Sequence, residues 1–334
     1  MSWKKISDYR SKLMGFAILI VVIFHLFEMV GINIDKVSLL LRSLYPIGKY
    51  GYIGVEIFLF LSGIGCFYSL YNNNSIIFFC KKRFIRILIP YIIIGTTFFI
   101  IKDIVLLNDF KKLILDFSGI NLFLNNERTF WYVYLILGLY LIFPALYNLF
   151  SSDNQYIRNL SFVVIELFLI GSTIYFYYFH KHFFDVIQLV YTRIPIFIFG
   201  SYIGKNVKND DKINPIFMLL FIISVFLIPV NFHNQMIMRF MNSVESIGLC
   251  FISVFLLEYP LKNLKLKFLD VLGKYSYEIY LLHVGIRSLL NLFGFKTYRI
   301  HIYLIVVVLT MLITPLIYNV SNIIHKKIIL DYQK

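Results

Sequence analysis

A histidine and a carboxylate stand three residues apart inside an apolar run, His25 and Glu28 in the segment FHLFE. On a helix such a pair shares a face, so the carboxylate can hold or polarise the imidazole and prepare it to take a proton. A second grouping lies late in the chain, in YEIYLLHVGIR. There His283 and Arg287 are one turn apart and can line one wall together, with Glu278 earlier in the run. Glu56 and Ser62 in GVEIFLFLSG, Glu166 in VIELF, Arg193 in YTRIPIF and Glu245 in NSVESIG put further polar groups among apolar ones. An ionisable group inside a membrane-spanning helix costs about 2.5–3.5 kcal/mol on insertion scales and so demands a partner or a function. Taken singly, each has a plain reading as a structural pair partner or a satisfied histidine at a helix interface. Their number is what argues for chemistry.

The elements that must position these groups follow from composition. The 334 residues are 59% hydrophobic and 15% charged, against roughly 25% charged residues in soluble domains. At about 20 apolar residues per span, such a chain supplies about ten transmembrane helices with short loops. Apolar windows put them at 13–31, 50–71, 85–107, 130–150, 158–179, 187–204, 215–231, 239–258, 276–295 and 298–320. The expectation is an all-α integral membrane protein, a bundle of about ten helices in a single domain over 1–334, with no internal repeat.

The net charge of +14 does not indicate a nucleic-acid partner, because the Lys and Arg residues fall between apolar runs. With both termini in the cytoplasm, about 19 of the cations lie on the cytoplasmic side and about 12 outside, a moderate positive-inside bias. In that topology His25, Glu28, Glu56, Arg193, Glu245 and Arg287 all fall in the outer halves of their spans, and one shared polar cavity is the economical expectation. The largest loop, Lys102 to Arg128, is near neutral, lies outside, and can cover a site there. Cys66, Cys80 and Cys250 show no metal-ligand spacing and read as inert thiols. No metal is expected.

The segment FFCKKRFIRILIP has two readings. It is a basic anchor at the cytoplasmic face, or Arg83 and Arg86 bind the phosphates of a donor, since guanidinium meets phosphate oxygens bidentately. Pro90 then kinks the third span and opens a slot. Trp131 and Tyr132 likewise read either as an interfacial aromatic belt or as part of a binding pocket.

In order along the chain, several motifs resemble those of the acyltransferase-3 family of membrane acyltransferases. MGFAILIVVIFH at 14–25 matches its first helix, which ends in a His, and GVEIFLFLSG at 54–63 matches its second. An Arg-x-x-Arg-x-x-x-Pro run follows from Arg83 to Pro90, then FWYVYLILGLYLIFP, RIPIFIFGSYIGK and GKYSYEIYLLH. One position departs: the family cation eleven residues before the His is Met14 here. Arg10, one turn earlier on nearly the same face, is its substitute.

The resemblance implies a multi-pass protein of the bacterial cytoplasmic membrane that transfers an acyl group, usually acetyl, from cytoplasmic acyl-CoA to a hydroxyl. The implied acceptor is a cell-surface polysaccharide or its lipid-linked precursor, and no permanently bound cofactor is implied. On this reading Arg10, Arg83 and Arg86 hold the donor. His25 is the base, with Glu28 or Glu56 orienting it, or else a covalent acyl carrier, and Ser62 or Arg287 stabilises the oxyanion. Arg193 and His283 complete the candidate cavity. The rival class is a transporter or flippase for a glycan-related substrate, which also uses intramembrane charges and Pro-broken helices, but no repeat relates the halves of the chain.

Overall fold

The computed structural model describes residues 1–30, 38–228, 234–297 and 299–333. Helices occur throughout: α1 (Lys4–Asp8), α2 (Arg10–Val30), α3 (Leu39–Gly48), α4 (Gly54–Asn72), α5 (Ile76–Phe99), α6 (Phe110–Phe117), α7 (Ile120–Leu124), α8 (Trp131–Phe150) and α9 (Gln155–Phe179). They continue as α10 (Lys181–Tyr191), α11 (Ile194–Tyr202), α12 (Gly204–Lys208), α13 (Pro215–Val225), α14 (Gln235–Glu258), α15 (Lys267–Lys274), α16 (Ser276–Leu292) and α17 (Ile300–Gln333). In lipid every backbone polar group must be satisfied within the segment, and the apolar runs meet that demand as helices.

Among the described residues, eight stretches are long and apolar enough to cross a membrane, namely Arg10–Glu28, Gly51–Asn72, Ile76–Leu106, Trp131–Phe150, Gln155–Phe179, Lys181–Lys208, Gln235–Glu258 and Ile300–Leu330. The other two expected spans also fall on helices but are shorter. The stretch 215–231 has helix over Pro215–Val225, with 229–231 outside the described residues, and 276–295 has the 17-residue α16, which carries Glu278, His283 and Arg287. Residues 31 and 298, at the ends of two other expected spans, also lie outside the described residues.

Two compact units emerge, each drawn from three stretches of chain. The first comprises Met1–Val21, Tyr50–Ile76 and Leu139–Lys274; the second comprises Val22–Lys49, Ile77–Gly138 and Tyr275–Lys334.

In the first unit α4 packs along α11 and against α14, while α13 packs on α14. Small residues permit these approaches: a Cβ on Gly63 would strike the Phe197 carbonyl, and one on Gly200 the Phe60 carbonyl.

In the second unit α16 packs against α17 and runs parallel to α5. The Tyr277 hydroxyl, at the start of α16, donates to the Ile87 carbonyl in the middle of α5 at 2.9 Å, and Gly285 in the middle of α16 faces Ile94 and Phe98 toward the end of α5. The helix continues through Pro90, which withholds one backbone donor from the Arg86 carbonyl. Beyond Phe99 it widens into a π-helical turn, Ile100–Leu106, that carries Lys102 and Asp103 inward to buried positions.

Candidate active site

The end of α2 and the middle of α16 bring four polar side chains together in the second unit. His25 Nδ1 lies 3.1 Å from Glu28 Oε2, and Arg287 Nη1 donates to the same oxygen at 2.9 Å. An ionised carboxylate has no proton to give, so His25 donates from Nδ1 and keeps a lone pair on Nε2. The His283 ring lies 5.0 Å from that of His25, centroid to centroid. His283 donates from Nδ1 to the Ile279 carbonyl at 2.9 Å. Its Nε2 is buried, with no hydrogen-bond partner among the described residues. A basic nitrogen oriented by a carboxylate, which is itself held by a guanidinium, is the geometry of a general base.

The site is open. His25 retains 16% and Glu28 45% side-chain exposure, and His25 and Arg287 line a cavity of about 230 Å3. Its other walls are Tyr280, Val284 and Ser288 from α16, together with Glu127, Arg128, Thr129 and Trp131 from the start of α8 and the segment before it. The volume equals roughly eight waters at about 30 Å3 each, the scale of one small ring and its substituents.

The segment between α5 and α8 is built around buried charges. Asp109 caps α6 by accepting from the Lys112 amide at 2.9 Å, and Gly119, at φ +79°, supplies the left-handed turn into α7. Lys102 donates to Asp116 at 3.0 Å and to Glu127. Lys112 and Asn121 also donate to Asp116, and Glu127 accepts from the Thr129 amide and hydroxyl. Burial drives the Asp116 and Glu127 carboxyls up, but the donated hydrogen bonds outweigh it. Both end below their usual range, Asp116 through Lys112, Asn121 and Lys102, Glu127 through Lys102 and Thr129.

Toward the opposite end of α16, Arg86 reaches to 3.5 Å of the fully buried Glu278 carboxylate and lies over the Tyr318 ring. Arg83 lies over the Phe79 ring one turn earlier on α5. Glu278 and His283 are five residues apart on one helix, about 8 Å along its axis.

The remaining candidates lie in the first unit. Glu56, expected as an alternative partner for His25, instead pairs with Arg193 at 2.9 Å; the two side chains are 0% and 3% exposed. Arg193 also donates to the Leu189 carbonyl at 2.8 Å. Glu245 is buried on α14, which packs against α4, and Ser62 is buried within α4. Arg10 opens α2. Of the six charges expected to share one cavity, His25, Glu28 and Arg287 belong to the second unit and Glu56, Arg193 and Glu245 to the first. Glu127, Arg128, Thr129, Tyr280 and Ser288 escaped the sequence reading, because they are ordinary residue types with no spacing to mark them. Trp131 carried two readings there, and it lines the cavity.

The family model described as an acyltransferase domain, acyltransferase-3, matches residues 13–319. The chain belongs to the acyltransferase-3 family. The match runs through both compact units and takes in α2, α5 and α16, so the protein is a multi-pass membrane acyltransferase. No curated protein and no solved structure matches it. Within an acyltransferase, the His25–Glu28–Arg287 arrangement has a task that suits it, since an acceptor group must lose a proton as it attacks an acyl carbon.

Proposed function

We propose that this acyltransferase moves an acyl group, acetyl in the simplest case, from cytoplasmic acyl-CoA to a hydroxyl of a cell-surface polysaccharide or its lipid-linked precursor. The protein then sits in the bacterial cytoplasmic membrane with both termini inside, in line with the distribution of its cations. The observation that carries the reading is the oriented His25, with its Nε2 lone pair free, on the wall of an open cavity.

His25 Nε2 takes the proton of the acceptor hydroxyl as its oxygen bonds to the thioester carbonyl carbon. The carbon–sulfur bond then breaks, and the proton passes to sulfur, releasing the CoA thiol and the ester. Glu28 orients the ring and stabilises the imidazolium, and Arg287 holds Glu28 in place. Arg83 and Arg86 bind the donor phosphates. The thin pantetheine arm follows α16 from Glu278 toward His283, a path of about 8 Å along the helix. In this assignment Glu56 and Arg193 serve the packing of the first unit, where they pair with each other in its interior.

Membranes carrying the intact chain are expected to transfer radiolabel from acetyl-CoA to envelope glycan, and membranes carrying His25→Gln at matched amounts are not. An intact, folded chain that labels no glycan from acetyl-CoA or other acyl-CoAs contradicts the reading.

A further inference from the structure

We infer that the segment from Asn108 to Trp131 is the acceptor-recognition wall of the cavity, and that Lys102 is the positioning residue that holds it; the inference rests on the acyltransferase reading above. Four of the nine cavity residues come from this segment: Glu127, Arg128, Thr129 and Trp131. They stand on the wall beside His25, at the ends of α2, α5 and α16 remote from Arg86 and Glu278.

Their chemistry fits one sugar ring with its hydroxyls. Trp131 offers a flat apolar face for the C–H face of a pyranose. Arg128 offers donors to ring or hydroxyl oxygens, and the Glu127 carboxylate offers acceptor positions beyond those engaged by Lys102 and Thr129. A cavity of about 230 Å3 admits the reacting ring and leaves the rest of a glycan outside.

The wall is rigid for a specific reason. Lys102, projected inward by the π-helical turn, joins Asp116 of α6 to Glu127 at the cavity edge. Its ammonium also lies 5.5 Å from the centre of the Phe99 ring. The Glu127 amide donates to the Asn121 carbonyl at 3.0 Å, and the Tyr134 and Tyr91 hydroxyls clamp the end of α6 by donating to the carbonyls of Asp116 and Phe117. Lys102 does not line the cavity. It acts through Glu127, and its loss frees the wall that aims the acceptor at His25.

The test has a kinetic and a binding arm, with purified envelope glycan, measured as hexose, as the acceptor probe. In the kinetic arm Lys102→Met raises the acceptor KM by about tenfold or more, while the acetyl-CoA KM stays within about twofold. Lys102→Arg restores the acceptor KM. Trp131→Ala, which leaves the buried charges in place, raises the acceptor KM by itself and covers the case in which Lys102→Met fails to fold. The binding arm uses Trp3→Phe, which makes Trp131 the sole tryptophan. Glycan is expected to shift its emission, and Lys102→Met to weaken that response. Acceptor and donor KM rising together in Lys102→Met and Trp131→Ala, or an emission that glycan leaves unmoved, overturns the inference. Glycan that shifts Trp131 emission in a chain transferring nothing from any acyl-CoA supports the wall and instead contradicts the proposed activity.

Discussion

Two polar groups on the apolar helices, Glu56–Arg193 in the first unit and His25–Glu28–Arg287 in the second, each set a glutamate against an arginine and end in opposite states. In the first unit Glu56 and Arg193 close on each other at 2.9 Å with almost no exposure. In the second unit Glu28 is shared by His25 and Arg287, and the imidazole borders a cavity. Both satisfy the demand that a charge in an apolar interior be partnered. What separates them is a basic nitrogen left over: in the first group the glutamate and the arginine face each other in full burial, whereas in the second the paired imidazole keeps a second ring nitrogen and lines a cavity. Intramembrane charge therefore marks a candidate, and only its surroundings distinguish a structural pair from a reaction centre.

That contrast breaks if the first group proves catalytic. Removing one partner of a buried pair leaves an uncompensated charge, a loss of about 3–5 kcal/mol. Arg193→Met is therefore expected to lower the thermal unfolding midpoint in detergent sharply, and to lower the rate per folded molecule less than changes in the second group do. A variant that melts like the intact chain but transfers nothing would erase the distinction. Glu28→Gln should do the reverse. It keeps the shape of the side chain but loses the carboxylate that orients His25, so kcat is expected to fall by about ten- to a hundredfold, part of the 10²–10⁴ a positioned base contributes. The unfolding midpoint stays close to that of the intact chain, since Glu28 is half-exposed.

A smaller effect sharpens the picture of the cavity wall. Asp116 and Glu127 are held below their ordinary range. They stabilise the folded segment at pH values above that range, and this contribution is lost as pH falls through their lowered values. Relative to its intrinsic rate, which itself falls toward acid, hydrogen exchange over residues 107–130 should therefore be slow near neutrality and accelerate below about pH 4. In Lys102→Met it should already be fast at pH 7.

Much of the second unit's site was legible in the sequence. The three-residue spacing of His25 and Glu28 and the four-residue spacing of His283 and Arg287 are local, and the helix period alone puts each pair on one face. The apolar runs were legible from their length and composition, and eight of the expected spans coincide with helices long enough, among the described residues, to cross a membrane. Pairings between distant helices were not legible. Glu56 meets Arg193, and Arg86 meets Glu278, through helix packing that no local spacing encodes. The cavity wall was hidden most completely. Its residues are common polar and aromatic types, and their placement depends on Lys102 reaching across a loop to two carboxylates.

The most direct test of the central claim is the rate of acetyl transfer to envelope glycan by His25→Ala at matched amounts of folded protein, with and without added imidazole. The account predicts that transfer is lost and that imidazole, entering the vacated cavity as a free base, restores part of it. Transfer by His25→Ala at the rate of the intact chain would contradict the account.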